Sequence, residues 1–453
     1  MRLCVMSQTP LIIFRKRTGY QYYKVDDEPT DLSALKEGID YYFSPGGVTR
    51  MLFPLLKRLL QEGVVDAVNW ISLNPAAPMS VVHGDLVLNH VRLEEAKMKG
   101  YGSAKERIWR AVHGVAKEKK MDFFWEDDYI DYTYLNRRFS ELAIGLDRSV
   151  DFDLFYVHDF QLLPQGTMLP PGKPKVFRWH IPFDEDDLPY EWRTTFLRFL
   201  SSYDTIVLSS KRYSDSLRRL GYTGEAVYVY PYLDIKHYDS PEKGTVDLFC
   251  SLFNLSNDDR VILVVGRMDP IKGQDVVIKA FKKVIREEPK AKLLIVGDGS
   301  FTSAQTGVGL PKSERWTQHL KDMVKKAQLE DRVIFSGHIE DQMLKAAYTR
   351  SDVCVLSSIK EGFGLVVIEA WIYGKPVLVS SSAGVADLIR DGVNGILFDP
   401  YDHEALAKKL VLILKDRGLA DRLGREGQAT ATLCSLDEGI KREVDILHRF
   451  IGG

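Results

Sequence analysis

Cysteine is scarce in this chain of 453 residues, and its placement excludes two kinds of protein. The four cysteines, Cys4, Cys250, Cys354 and Cys434, are scattered, with no CxxC pair and no His/Cys cluster. That pattern suits neither a disulfide framework nor a metal site; Cys4 and Cys354 fall in expected strands and read as reduced core residues. Long hydrophobic runs are missing too, so no stretch is expected to span a bilayer. Nor does one sign of charge dominate: 61 Lys and Arg stand against 63 Asp and Glu. The balance argues against a nucleic-acid binder and against a polybasic membrane anchor. Low-complexity tracts and a repeating period are absent. The start, Met1-Arg2-Leu3-Cys4-Val5-Met6, enters a strand pattern without the apolar core or cleavage site of a signal peptide. A cytoplasmic location is therefore expected.

What is present is a regular alternation. Short apolar runs at 3–6, 67–73, 86–91, 154–157, 176–179, 205–208 and 227–230 are spaced by helical patterns at 48–61, 104–119, 135–144 and 212–220. The second half repeats this more cleanly. Its expected strands are 261–265, 293–296, 333–335, 353–356, 377–379 and 396–398, with helices at 274–286, 317–327, 341–347, 365–372, 385–391 and 404–414. Continuous apolar strands between amphipathic helices predict a doubly wound α/β fold. The length predicts two domains. Residues 231–244 are polar, turn-rich and aperiodic, and read as the linker. The expected division is an N-terminal domain over 1–235, a second over 245–425, and a helix in 426–453 that packs back toward the first. Residues 301–315 read as a long loop after a strand end, a place where binding loops occur.

The chemistry concentrates where strands end. In open parallel sheets, ligands bind outside the carboxyl ends of the strands. After the run 352–358 comes Lys360-Glu361-Gly362-Phe363-Gly364-Leu365-Val366-Val367-Ile368-Glu369-Ala370. Two carboxylates eight positions apart flank a glycine turn and a helix start, so Glu361 and Glu369 could share a crevice with the turn's amides. Carboxylates accept from sugar hydroxyls and amides donate to them, which suits a polyhydroxy ligand. The alternative is an ordinary helix entry. Gly266-Arg267-Met268-Asp269-Pro270-Ile271-Lys272-Gly273 places two cations between a strand end and a helix. Alone it fits a surface turn equally well; beside the carboxylates, Arg267 and Lys272 point to a diphosphate.

Three first-half motifs follow the same logic. Ser44-Pro45-Gly46-Gly47-Val48 opens a helix, and its double glycine would let backbone approach an anion, though no Gly-Lys-Ser/Thr of a P-loop follows. His158-Asp159-Phe160-Gln161 and Trp179-His180-Ile181-Pro182-Phe183 end adjacent expected strands, which places His158, Asp159 and His180 on a ligand-facing rim. A satisfied core histidine remains the plain alternative for His158. Trp125-Glu126-Asp127-Asp128-Tyr129-Ile130-Asp131-Tyr132 reads as an acidic helix start, with Tyr129 and Tyr132 open as sugar contacts.

Taken together, the second half resembles the retaining nucleotide-sugar glycosyltransferases of the GT-B fold, the group that includes sucrose and glycogen synthases. It carries their Gly-Arg…Lys-Gly pair at Arg267 and Lys272 and their Glu-x7-Glu signature at Glu361 and Glu369. In the first half, Tyr132-Thr133-Tyr134-Leu135-Asn136-Arg137-Arg138-Phe139, the His-Asp segment and His180-Ile181-Pro182-Phe183 resemble trehalose-6-phosphate synthases in order and spacing. Those synthases carry Ser-Asn-Arg at the first strand end, whose arginine grips a phosphate; here Ser7-Gln8-Thr9 stands there. The combination is similar to the trehalose transferases that join glucose to free glucose.

The resemblance implies two Rossmann-like domains facing a central cleft and α,α-1,1 transfer with retention. It implies that Arg267 and Lys272 hold the diphosphate, Glu369 the ribose, and Glu361 with Gly362, Phe363 and Gly364 the donor glucose. Gly46 and Gly47 would close over the phosphates, and Ile339 would contact the base. His180 would contact the transferred glucosyl, and Asp159, His158 and Tyr132 the acceptor. The donor would be UDP- or ADP-glucose. The chemistry is expected to need no cofactor, with Mg2+ at most a stimulator lacking a protein ligand site. The partners are the sugar nucleotide and glucose, and a homo-oligomer stays open. Competing readings are transfer to a phosphorylated sugar, a trehalose phosphorylase, a dehydrogenase or epimerase, and a sugar-nucleotide sensor. No GxGxxG follows the first strand, which argues against a dinucleotide enzyme.

Overall fold

In a computed structural model of the chain, residues 1–15, 29–44, 46–115, 127–298 and 310–450 are described. The chain divides into two units, one of Met1–Tyr230 with Gly439–Gly453, the other of Pro231–Glu438.

The first unit is built on a nine-stranded sheet. In spatial order its strands are Glu225–Tyr228, Thr205–Leu208, Lys175–Trp179, Leu154–His158, Arg2–Ser7, Ala67–Leu73, Leu86–Val91, Ser80–His83 and Thr30–Asp31. The central strands are parallel and buried on both faces, which is why they read as unbroken apolar runs. Ser80–His83 runs antiparallel to Leu86–Val91, and Ile12–Phe14 pairs antiparallel with Tyr41–Phe43; neither pairing was expected. The helix expected over 104–119 spans Glu95–Val112 instead. Gly100 and Gly102 interrupt its sequence pattern, yet Gly100 permits close packing: a Cβ there would lie 2.0 Å from a carboxylate oxygen of Asp131 on the helix Asp127–Val150. Residues 116–119 of the expected helix lie outside the described residues. The last strand sits at Glu225–Tyr228 rather than 227–230.

The second unit holds a six-stranded parallel sheet in the order Val333–Gly337, Ala291–Val296, Arg260–Val265, Val353–Leu356, Val377–Ser380 and Ile396–Phe398. The helix Gln274–Glu287 buries Val276, Val277, Ala280, Phe281 and Val284, the stripe expected from spacing of three and four. The helix expected at 385–391 is only a 3-10 turn, Gly384–Leu388. Its first amides are already spent outside it: Gly384 N donates to Glu361 O and Val385 N to Phe363 O. The chain returns to the first unit at Gly439, later than residue 426. Helix Arg417–Ala431 stays with the second unit because Gly427 lets it seat on Trp371, where a Cβ would lie 2.1 Å from the ring. The linker residues are anchored in the second unit through Tyr238 to Glu369, Tyr373 to the Asp239 carbonyl and Lys345 to the Asp239 carboxylate. Among the described residues, no helix is long and apolar enough to cross a membrane.

Candidate active site

Two short loops at strand ends make the site of the second unit. The first leaves Arg260–Val265 through exposed Arg267, and Asp269 accepts from Ile271 N at 3.1 Å to start the 3-10 turn Pro270–Lys272. Gly273 closes that turn at φ +66, and a Cβ there would sit 2.2 Å from the Ser357 carbonyl oxygen. Only glycine lets the two loops approach so closely. The second loop leaves Val353–Leu356 and is zipped to the first: Ser357 Oγ donates to Lys272 O at 2.8 Å, and Ile359 N to Ile271 O at 2.8 Å. It turns at Gly364, φ +111, where a Cβ would lie 2.5 Å from Leu356, and then enters the helix Leu365–Ile372.

This backbone stitching brings Lys272 onto Glu361. Lys272 Nζ donates to Glu361 Oε2 at 2.5 Å, and Ser358 Oγ donates to the same oxygen at 2.9 Å. Both side chains are mostly buried, 19% and 18% exposed. Burial pushes the Glu361 carboxyl up, but the Lys272 charge, the hydrogen bonds from Lys272 and Ser358, and the Arg267 charge outweigh it and hold the pKa below the usual value. The Lys272–Glu361 juxtaposition, with Arg267 in electrostatic range, is a small charged cradle. Gly362, Phe363 and Gly364 are buried at its edge.

Glu369 lies one turn into the helix and is buried. Tyr348 Oη donates to its Oε2 at 2.6 Å and Tyr238 Oη to its Oε1 at 3.0 Å. Neither tyrosine was singled out from sequence, because each sits in a segment whose pattern reads as helix or linker. Ile339 is half-buried, just past the strand Val333–Gly337.

In the first unit, His158 ends Leu154–His158 and His180 follows Lys175–Trp179. His158 Nδ1 and His180 Nε2 are 3.0 Å apart, with rings stacked at 5.3 Å. Asp159 directly follows His158: its Oδ1 accepts from His180 N at 3.4 Å, and its backbone holds the strained φ of +69. Burial drives the Asp159 carboxyl up to about 7, against the amides of Phe160 and His180 and the Lys105 charge. Burial likewise depresses both imidazoles, helped by the Arg178 charge. Tyr132 is a core residue, and its hydroxyl donates to Phe160 O at 2.6 Å, so it steadies the turn after Asp159. Gly46 caps the helix Gly47–Gln61 at φ −63, and a Cβ on Gly47 would meet nothing, so neither glycine is demanded by local geometry. Pro45, Trp125, Glu126 and residues 301–309 lie outside the described residues. Among the described residues, Asp184, Glu185 and Asp186 come close enough to hold a metal ion, but Arg219 and Ser216 already occupy Glu185 and Arg193 pairs with Asp186.

The family model "Glycosyl transferases group 1" matches residues 253–430, the stretch that contains Arg267, Lys272, Glu361 and Glu369. Residues 253–430 are a glycosyl transferase group 1 domain. The domain's relatives extend unevenly along the chain. Mannosylfructose-phosphate synthase of Agrobacterium fabrum is 33% identical over 188 residues, 41% of this chain and 40% of that protein. Trehalose synthase of Thermococcus litoralis is 26% identical over 306 residues, 66% of this chain and 70% of that protein. The chain thus spans about 40% of the length of the first of these relatives. A UDP-forming alpha,alpha-trehalose-phosphate synthase from Burkholderia xenovorans superposes with a TM-score of 0.72 at 18% identity, covering 89% of this chain and 97% of that one. The glycosyl transferase domain and the unit that precedes it therefore have the GT-B fold, as two Rossmann-like halves.

Proposed function

We propose that this protein is a retaining glycosyltransferase that moves glucose from UDP- or ADP-glucose to free glucose, giving trehalose. The observation that carries the reading is the Lys272–Glu361 pair beside Arg267, on loops stitched together at the strand ends of the glycosyl transferase domain. Lys272 and Arg267 supply positive charge to a departing diphosphate, and a pair of fixed cations is suited to stabilise such an oxyanion. Glu361, held ionised, accepts from hydroxyls of the donor glucose. Glu369 binds the ribose by exchanging phenol donors for ribose hydroxyls.

The reaction is a front-face displacement. The bond from the anomeric carbon to the β-phosphate oxygen breaks, and the acceptor hydroxyl attacks the face it leaves. That phosphate oxygen takes the acceptor's proton, and the anomeric configuration is kept. His180 donates to the transferred glucosyl and Asp159 serves the acceptor side, whereas His158, fully buried with its Nδ1 on His180, stands behind the site and does not reach an acceptor. The first unit supports a neutral acceptor: its imidazoles are held uncharged and its aspartate carries a proton up to about pH 7. Ser7, Gln8 and Thr9 offer no cation at the first strand end. A phosphorylated acceptor is the second reading, favoured by the Lys105 charge that reaches Asp159.

The test incubates the full chain with UDP- and ADP-glucose and a panel of free and phosphorylated sugars. Free trehalose, identified by mass and NMR, with release of nucleoside diphosphate, is the expected result. A product formed only from a phosphorylated sugar replaces the acceptor assignment. Formation of glucose phosphate from trehalose and inorganic phosphate, with no nucleotide dependence, overturns the transferase reading.

A further inference from the structure

The transfer reading uses His180 but leaves a buried charged cluster behind it without a task. Tyr156 and His158 are two residues apart on one strand, Arg178 and His180 two apart on and just past the next. The register pairs His158 with Arg178. Alternation therefore puts all four side chains on one face of the sheet. The chain's last helix, Leu436–Leu447, inserts Glu443 onto that face with no exposure at all. Glu443 forms an ion pair with Arg178, itself 1% exposed, and accepts from Tyr156 Oη at 2.8 Å. Arg178 also donates to Val229 O at 3.2 Å. The Tyr156 ring in turn lies against His158, 4.3 Å between centroids.

His158 Nε2 is buried and has no hydrogen-bond partner. That settles which way the contact between the imidazoles runs. Were His180 to donate from Nε2, His158 would have to carry its proton on Nε2, a buried N–H with no acceptor. If His158 donates from Nδ1, its Nε2 is only an unused lone pair, which proteins tolerate far more often. His180 then accepts at Nε2 and keeps its proton on Nδ1. His180 is the less buried of the two rings, so this N–H is the one left to donate to a ligand.

We propose that His158 and Glu443 are positioning residues: His158 donates to His180 and fixes its proton on Nδ1, while Glu443, through Tyr156 and Arg178, holds His158 in place. The returning helix is on this account part of the site of the first unit. The idea that the Nδ1–H meets the transferred sugar rests on the transfer reading; the tautomer does not.

Long-range 1H–15N spectra of the 15N-labelled full chain test it, with His158→Gln and His180→Gln assigning the signals. The wild type is expected to show both imidazoles protonated on Nδ1. Glu443→Gln is expected to give mixed tautomers at His180 and to lower kcat by up to about a hundredfold with KM little changed, the size of effect that slight misplacement produces. Tyr156→Phe keeps the packing, removes the hydroxyl link, and should move the same signals if Glu443→Gln does not fold. A wild-type His180 protonated on Nε2, or a folded Glu443→Gln with unchanged tautomer and kcat, overturns the proposal. The expected spectrum in a protein that transfers no sugar from any donor upholds it and sinks the transfer reading instead.

Discussion

Replacing Lys272 by methionine is the most direct probe of the charged cradle, because methionine keeps an unbranched apolar stem, one atom shorter, and removes the ammonium with its charge and donors. In the wild type Lys272 and Ser358 both donate to Glu361 Oε2. With the ammonium gone, Glu361 keeps the Ser358 bond and the more distant Arg267 charge. Loss of one charge-assisted hydrogen bond to a group that is 18% exposed, and so reachable by water, should cost about 1–2 kcal/mol of stability. The catalytic cost should be larger, on the order of a hundredfold or more in kcat, as for removal of one preorganised donor to a developing oxyanion. A pH signature separates the two. The folded Glu361 carboxyl lies below its unfolded value, since burial, which raises it, is outweighed by Lys272, Ser358 and Arg267. Its stabilisation is present above the unfolded pKa and is lost as pH falls through the lowered folded one. In Lys272→Met the burial effect is less opposed, so that acid-side stabilisation shrinks. The assays are turnover with each sugar nucleotide, UDP binding by calorimetry, and urea midpoints across the acid range. A folded variant with near-wild-type kcat would refute the diphosphate role, and acid sensitivity identical to the wild type would refute the electrostatics.

Further outcomes follow from the same geometry. Tyr348→Phe removes a donor from the buried Glu369 carboxylate and should cost about 1.5–3 kcal/mol in urea unfolding, whereas Tyr238→Phe, on the half-buried linker residue, should cost less and leave UDP affinity equal or tighter. Weaker UDP binding in Tyr238→Phe would remove the exchange of phenols for ribose hydroxyls. Gly273→Ala puts a Cβ 2.2 Å from the Ser357 carbonyl at φ +66, so it should destabilise by at least about 1–3 kcal/mol and weaken UDP binding together; wild-type midpoints would show that the loops are not locked. Asp159, at about 7 when folded and about 4 when unfolded, lowers stability as pH rises between those values; Asp159→Asn should flatten that slope in urea midpoints, and an unchanged slope would place its proton elsewhere.

How far the sequence carried depends on where each signal lives. The second sheet was legible almost strand by strand because each strand is buried on both faces, and an unbroken run such as Val261-Ile262-Leu263-Val264-Val265 has few other solutions. That Arg267, Lys272, Glu361, His158 and His180 lie at or just past strand ends was legible because strand patterns and helix starts bracket them. Edge elements were not. Ser80–His83 is half-exposed and lacks a periodic signature, and Glu95–Val112 hides behind two glycines, of which Gly100 makes room for Asp131, a purpose visible only in three dimensions. Glu443 was the hardest residue to read. In sequence it is one more acid on an amphipathic helix; its burial against Arg178 joins residues 265 positions apart, and no local pattern carries that.

Glu361 and Glu369 show why spacing alone could name the pair and not its chemistry. The interval is set by a strand end, a left-handed glycine at 364 and a first helical turn. What each carboxylate becomes is decided by other segments. The 3-10 turn Pro270–Lys272 delivers a cation to Glu361, which stays ionised despite burial. The helix Asp341–Arg350 and the linker deliver two phenols to Glu369, whose oxygens are both satisfied by neutral donors. A ligand reaching Glu361 must therefore compete with a charge, and one reaching Glu369 only with hydroxyls. A diphosphate can meet the first demand by drawing Lys272 to itself, and a vicinal diol can meet the second by replacing one phenol with its own donors. In the proposed function a nucleoside diphosphate sugar, which carries those two groups a few bonds apart, would meet both demands at once.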